Sequence, residues 1–195
     1  MDSAEMKTKL LHYWRFSRNY NFIATEAGRF NADVIVSNGD TIIECEVKTS
    51  YPDFRLDFKR KSKKHEIYSN VAKWGAMEIP NKFYFAVENK ITKKVESFLK
   101  DTPYGIIEIL NTELTLFKTT NSKAIRYCKI VKQARKLHNK FDARLHNMIV
   151  MRSGSELIRA RLATAQFQKN VVVKVKLEDN KIILNSTSKI KLEQK

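Results

Sequence analysis

Apolar and polar positions alternate with period two over Ile42–Lys48, and a second β-branched run precedes it at Ala32–Val36. Between them Asn38-Gly39-Asp40 supplies the positive φ of a tight reversal, so the pattern predicts a β-hairpin. On its second strand Ile43, Cys45 and Val47 share one face while Glu44, Glu46 and Lys48 share the other. Asp33 starts the first strand and is placed to approach Glu46 across the pair. Three carboxylates beside one ammonium form a hard oxygen site of the kind Mg²⁺ or Mn²⁺ takes.

The same reading extends along the chain. Ser3 offers a cap for a helix through about Tyr20, with Leu10, Leu11, Trp14 and Phe16 as its apolar surface. Asn21–Glu26 reads as a strand, and Gly28 turns the chain toward Asp33. Ser50 and Pro52 mark a helix start, so a helix should run from about Pro52 into the sixties. Asn81–Val87 reads as a buried strand, Val95–Lys100 as a short helix, and Tyr104–Leu110 with Leu114–Phe117 as a strand pair. From Asn121 helix formers dominate. On a helix, Lys123, Arg126, Lys129, Lys132, Lys136 and Lys140 fall on one half of the circumference, with Ala124, Cys128, Val131 and Ala134 mostly opposite. A second helix is expected over Ser155–Gln168, then a hairpin of Val171–Leu177 and Lys181–Leu184, then a fraying lysine-rich tail. The αβββαβ order predicts an α/β core with a mixed sheet flanked by helices over residues 1–118. Residues 119–195 would form a basic helical extension with the hairpin.

Charge sharpens this picture. The chain of 195 residues carries 37 Lys and Arg against 21 Asp and Glu, a net charge of +16 with a pI near 9.8. Such a charge favours a polyanionic partner, because each neutralised phosphate releases counterions. A supercharged soluble protein and a protein held to an anionic membrane surface are the other readings. The cations expected to face phosphates are Arg29, Arg55, Lys59, Arg60, Lys61, Lys63 and Lys64, then Lys129, Lys132 and Lys136. Tyr68 and Trp74 either stack on unpaired bases or belong to the core. No run approaches the roughly 20 apolar residues that span a bilayer, and Met1–Glu5 has no signal-peptide pattern. A cytoplasmic protein is expected. Cys45 and Cys128 make no disulfide framework, and the four histidines show no zinc spacing.

Asp33 followed by Glu46-Val47-Lys48 resembles the PD-(D/E)XK nuclease superfamily, although Ala32 replaces the proline of that motif. Glu46-Val47-Lys48-Thr49-Ser50, Asp53-Phe54-Arg55-Leu56-Asp57-Phe58-Lys59 and Phe83-Tyr84-Phe85-Ala86-Val87 together resemble its MmcB-like DNA-repair branch. The likeness covers roughly residues 26 to 90, and the segment between Lys59 and Phe83 is longer and more basic here. The resemblance implies a restriction-endonuclease-like fold and Mg²⁺- or Mn²⁺-dependent hydrolysis of DNA phosphodiesters, endonucleolytic and serving repair, recombination or defence. Asp33 and Glu46 would bind the metal, and Lys48 would position or help deprotonate the attacking water. Glu44 would stand behind them, with Glu5 of the first helix and Glu26 in support. A cut through both strands would call for a homodimer. Two rivals stay open: a DNA-binding accessory factor that keeps the fold without turnover, and a protein that binds or cleaves RNA.

Overall fold

The computed structural model describes residues 1–113, 127–170, 172–178 and 181–187, with side chains through residue 166. The chain divides into two units, Met1–Ser153 and Gly154–Lys195.

The first unit is an α/β structure built on one mixed sheet. Its strands are β1 (Phe22–Ala27), β2 (Ala32–Ser37), β3 (Ile42–Lys48), β4 (Lys82–Glu88), β5 (Gly105–Ile109) and β6 (Cys128–Lys132), hydrogen-bonded in that order. The first three strands run antiparallel, β3-β4 and β4-β5 are parallel, and β6 closes the edge antiparallel to β5. The β2–β3 hairpin forms where the pattern places it. Gly39 has φ +97°, and the Asn38 side chain accepts from the backbone N–H groups of Asp40 (3.1 Å) and Thr41 (2.8 Å).

Parallel neighbours need a crossover, and helices supply it. Between β3 and β4 lie α2 (Tyr51–Arg60), α3 (Ser62–Ser69) and α4 (Val71–Trp74), and α5 (Asn89–Leu99) joins β4 to β5. Ser50 caps α2 by accepting from the Asp53 N–H at 3.3 Å. On one face of the sheet, Met6 and Leu10 of α1 (Ser3–His12) and Trp14 of the π-helical turn Tyr13–Ser17 bury Val34, Cys45, Val47, Tyr84 and Ile107. On the other, Phe54, Ile67, Ile91, Val95 and Leu99 bury Phe83, Phe85, Val87 and Ile106. Leu145 and Ile149, early in α6 (Ala143–Asn170), cover Ala24, Ile35 and Ile42.

Four expectations are corrected. Asp2, not Ser3, caps α1, because its carboxylate accepts from the Glu5 N–H at 2.7 Å and complements the positive end of the helix. The basic helix predicted from Asn121 does not hold: Lys129 and Lys132 lie on strand β6, where the β-branched pair Ile130-Val131 satisfies the open edge of β5. Lys123, Arg126 and the predicted strand Leu114–Phe117 lie outside the described residues. The next helix begins at Ala143 and continues through Ser153-Gly154 instead of starting at Ser155, since one glycine inside a helix costs only about 1 kcal/mol. The first unit therefore ends at Ser153 and not at 118, because β6 and the first turns of α6 complete its sheet and core.

In the second unit, the remainder of α6 is followed by the antiparallel pair β7 (Val172–Glu178) and β8 (Lys181–Thr187), the hairpin expected from the pattern. The tail beyond Thr187 lies outside the described residues.

Candidate functional site

The polar face of β3 is the chemical centre of the first unit. Glu44, Glu46 and Lys48 share it as expected, yet it is closed over: their relative exposures are 2%, 1% and 7%. Register explains the enclosure. Ala24, Ile35, Glu44 and Phe83 form one row across the sheet, and Glu46, Phe85 and Ile106 form the next. Aromatic β4 neighbours draw α2 and α3 down onto this face, with Phe54 and Phe58 packed on the Phe85 ring at 4.9 and 5.6 Å between centroids. The strand acids are buried with them.

Burying a carboxylate needs a partner, and the two crossover helices provide the cations. Lys64 of α3, 1% exposed, sits 2.6 Å from Glu44 Oε1 and 2.6 Å from Glu46 Oε1. Lys61, at the α2–α3 junction, donates to the same Glu46 oxygen at 2.7 Å. The Tyr68 hydroxyl donates to Glu44 Oε2 at 2.7 Å. Lys48 donates to Asp57 of α2 at 2.6 Å and lies 3.6 Å from Glu46. Asp57 also bonds His65 at 2.9 Å, and His65 in turn meets the Tyr104 hydroxyl at 3.1 Å.

Asp33 stands one step beyond the Val34–Cys45 pair, beside Glu46, as the hairpin predicts. Its carboxylate is already committed. Oδ2 accepts from the Val47 N–H at 2.8 Å, and Oδ1 pairs with Lys7 of α1 at 2.9 Å. Lys7 also pairs with Glu26, which accepts from Asn31 at 2.8 Å. Glu26 thus joins Asp33 through a shared ammonium. Glu5, the α1 acid expected at the site, turns to Lys9 at 2.8 Å.

The electrostatics follow from these contacts. Burial alone would raise the Glu46 carboxyl, but Lys64 and Lys61 more than offset it and hold the group below the usual carboxylate range. Asp57 behaves alike: burial opposes ionisation, and the His65 and Lys48 bonds overcome it. Burial also disfavours the Lys48 ammonium, but Asp57 and Glu46 raise it above its ordinary value and favour its charged form. Burial, followed by the Glu44 charge, pushes the Tyr68 hydroxyl well up, so it serves Glu44 as a donor.

A pH dependence follows. Glu46 and Asp57 have folded-state pKa values below their unfolded ones, so their stabilisation is present above the unfolded values near 4 and is lost as pH falls toward the folded ones. Urea midpoints should change little from pH 7 to 5 and fall steadily below pH 4. Glu46→Gln should flatten that acid limb.

This donor set does not fit a resident dication in the arrangement observed. Asp33, Glu44, Glu46 and Asp57 are matched by Lys7, Lys48, Lys61 and Lys64, and the ammoniums occupy the carboxylate oxygens a metal would use. Among the described residues no group of three or more His, Cys, Asp or Glu is arranged to hold a metal ion.

The ten cations expected to face phosphates divide. Arg29, Arg55, Lys59, Arg60, Lys63, Lys129 and Lys136 are exposed, with Arg55 lying over the Phe98 ring at 4.6 Å. Lys61 is a third exposed and paired with Glu46. Lys64 is corrected from surface to core, because two buried acids need it. Lys132 is corrected too: it donates to the carbonyls of Leu99 (2.5 Å) and Thr102 (2.8 Å) at the C-terminal end of α5, and burial lowers its pKa. Tyr68 belongs to the core, whereas Trp74 is 45% exposed.

Sequence reasoning missed Lys7, Asp57 and His65 as members of the site. Asp57 and Lys61 are spaced i,i+4, a readable pairing signal. Lys7 and His65 left none, because their partners lie on other elements.

The class defined by this fold is α/β with a six-stranded mixed sheet between helices. No family model and no curated protein matches the chain. Among solved structures it is similar to the SPO1766 protein of unknown function from Silicibacter pomeroyi, with a TM-score of 0.52 and 14% identity over 89% of this chain and 99% of that one. That likeness is one of fold. Among the described residues no helix is long and apolar enough to cross a membrane.

Proposed function

We propose that the protein is a DNA-binding accessory factor built on a nuclease-like sheet, with its strand acids spent on an internal ion-pair network and its exterior cations on phosphates. The observation that carries this reading is Glu46, 1% exposed with the ammoniums of Lys61 and Lys64 on one of its oxygens. A carboxylate so held is neutralised from within. The net charge of +16 and the exposed cations on α2, α3 and β6 support a polyanionic partner.

A second reading is metal-dependent hydrolysis of DNA. It is favoured by Asp33 standing beside Glu46 with Lys48 two residues on. Asp33 and Glu46 would hold the cation, after Lys7, Lys61 and Lys64 had moved away.

Labelled single-stranded, duplex, nicked, flapped and branched DNAs incubated with Mg²⁺, Mn²⁺ or EDTA separate the two. The accessory reading expects binding that weakens as salt rises, is indifferent to EDTA, and leaves the DNA uncut. Metal-dependent cutting that disappears in a folded Lys48→Ala protein would overturn it in favour of hydrolysis.

A further inference from the structure

A shallow groove of about 320 Å³ lies away from the β3 network, between the segment after α4 and the start of α6. Ala76, Met77 and Phe141 form its apolar lining, and Lys140 and Arg144 supply its charge. Met77 is 61% and Phe141 39% exposed, while Trp74, two residues before the groove begins, is 45% exposed. Large apolar side chains are thus presented to water beside cations.

The groove is built, not incidental. Gly75 (φ +77°) and Glu78 (φ +55°) both have positive φ, which a glutamate adopts only where its surroundings impose it. The Asp142 carboxylate imposes it here. Oδ2 accepts from the Glu78 N–H at 2.5 Å, and Oδ1 caps α6 by accepting from the Leu145 N–H at 3.0 Å. Asp142, the one acid in the lining, has both oxygens engaged by backbone donors, and its single negative charge is outnumbered by Lys140 and Arg144, which leave the groove net cationic. Asn81, buried at 3%, fixes the other wall: its side-chain amide donates to the carbonyls of His138 (3.3 Å) and Lys140 (2.8 Å), and its oxygen accepts from the Ile42 N–H at 2.8 Å.

From this juxtaposition we infer that the groove binds single-stranded DNA, with an unpaired base stacked on Phe141 and its flanking phosphates on Lys140 and Arg144. An aromatic face beside cations is the arrangement that recognises unpaired bases without reading their sequence. A duplex keeps its bases stacked on one another and offers this groove only phosphate. The inference rests on the DNA-binding reading above and assigns that reading a preferred strand state and a site.

The test measures affinity for fluorescein-labelled oligothymidine, an abasic oligonucleotide of equal length, and a matched duplex at one salt concentration. Phe141→Ala should weaken oligothymidine binding about tenfold and leave duplex binding within about twofold. Lys140→Glu with Arg144→Glu should weaken both. The abasic strand should bind the wild type about as weakly as oligothymidine binds Phe141→Ala. Because Trp14 is 1% exposed, quenching of tryptophan emission by oligothymidine should report Trp74 and vanish in Trp74→Phe. Unchanged thermal melting of Phe141→Ala confirms that it is folded. Equal affinity for oligothymidine and the abasic strand, or no loss in Phe141→Ala, would overturn the inference. Binding of duplex but not single strands would overturn it while leaving DNA binding standing, and binding of neither would overturn both.

Discussion

Replacing Lys64 with methionine is expected to destabilise the protein by about 3–5 kcal/mol, the range for removing one partner of a buried ion pair, and to lower the melting temperature by roughly 10 °C. Methionine fills a similar volume, so the loss is electrostatic and not a cavity. Glu44 keeps only the Tyr68 hydroxyl, and Glu46 keeps Lys61 and the more distant Lys48. Glu44 is thus the more exposed to the change. Without its ammonium it becomes a buried carboxylate held by a single hydroxyl, which accounts for most of the expected loss. Adding Glu44→Gln should recover part of the loss, and the double-mutant cycle gives the coupling directly. Urea denaturation of the four proteins at pH 7 is the measurement. Additive losses would mean that Lys64 acts through packing over the Phe83 ring, 4.5 Å away, and not through the acids.

Gly105→Ala is expected to cost about 3 kcal/mol, near the upper end for overpacking a core. A Cβ at this position would lie 2.3 and 2.4 Å from two ring carbons of Tyr84 and 2.7 Å from the Ala134 backbone nitrogen. Gly105 pairs with Tyr84 across the parallel β4–β5 ladder, and one edge of the ring, Cδ1 and Cε1, occupies the space a side chain would need. The ring has little room to move, because its hydroxyl donates to Gln133 at 2.9 Å and Trp14 packs against it edge-on, 6.1 Å between centroids. The backbone at Ala134 cannot yield without shifting the chain that leaves β6. Tyr84→Leu in the same chain should restore part of the loss by removing the ring, and thermal melting of the single and double variants would show it. A Gly105→Ala protein as stable as wild type would mean that β5 moves freely against β4.

Both expectations arise from partners far apart in sequence, and this is where reading the chain alone stopped. The β2–β3 hairpin was readable because its signals are local: alternation on β3, a β-branched run on β2, and Asn38-Gly39 between them. The start of α2 was readable for the same reason, from Ser50 and Pro52. Lys129 and Lys132 misled because their spacing fits a helix as well as a strand, and only the open edge of β5 decides between the two. Lys64 misled in another way. Among five neighbouring cations it has no local mark of burial, and its partners Glu44 and Glu46 lie 20 and 18 residues earlier.

The amino-acid sequence by itself determined which residues share a face, where the chain reverses, that parallel strands would be joined through helices, and that the surface would be strongly cationic. These follow from side-chain period, turn chemistry and charge, all carried by neighbouring residues. Only the tertiary structure decided what covers each face. Aromatic packing of α2 and α3 on β4 closes the polar side of β3, and burial then obliges every acid there to take a lysine. Lys61 and Lys64 fill those places on Glu44 and Glu46 because the crossover after β3 brings them there.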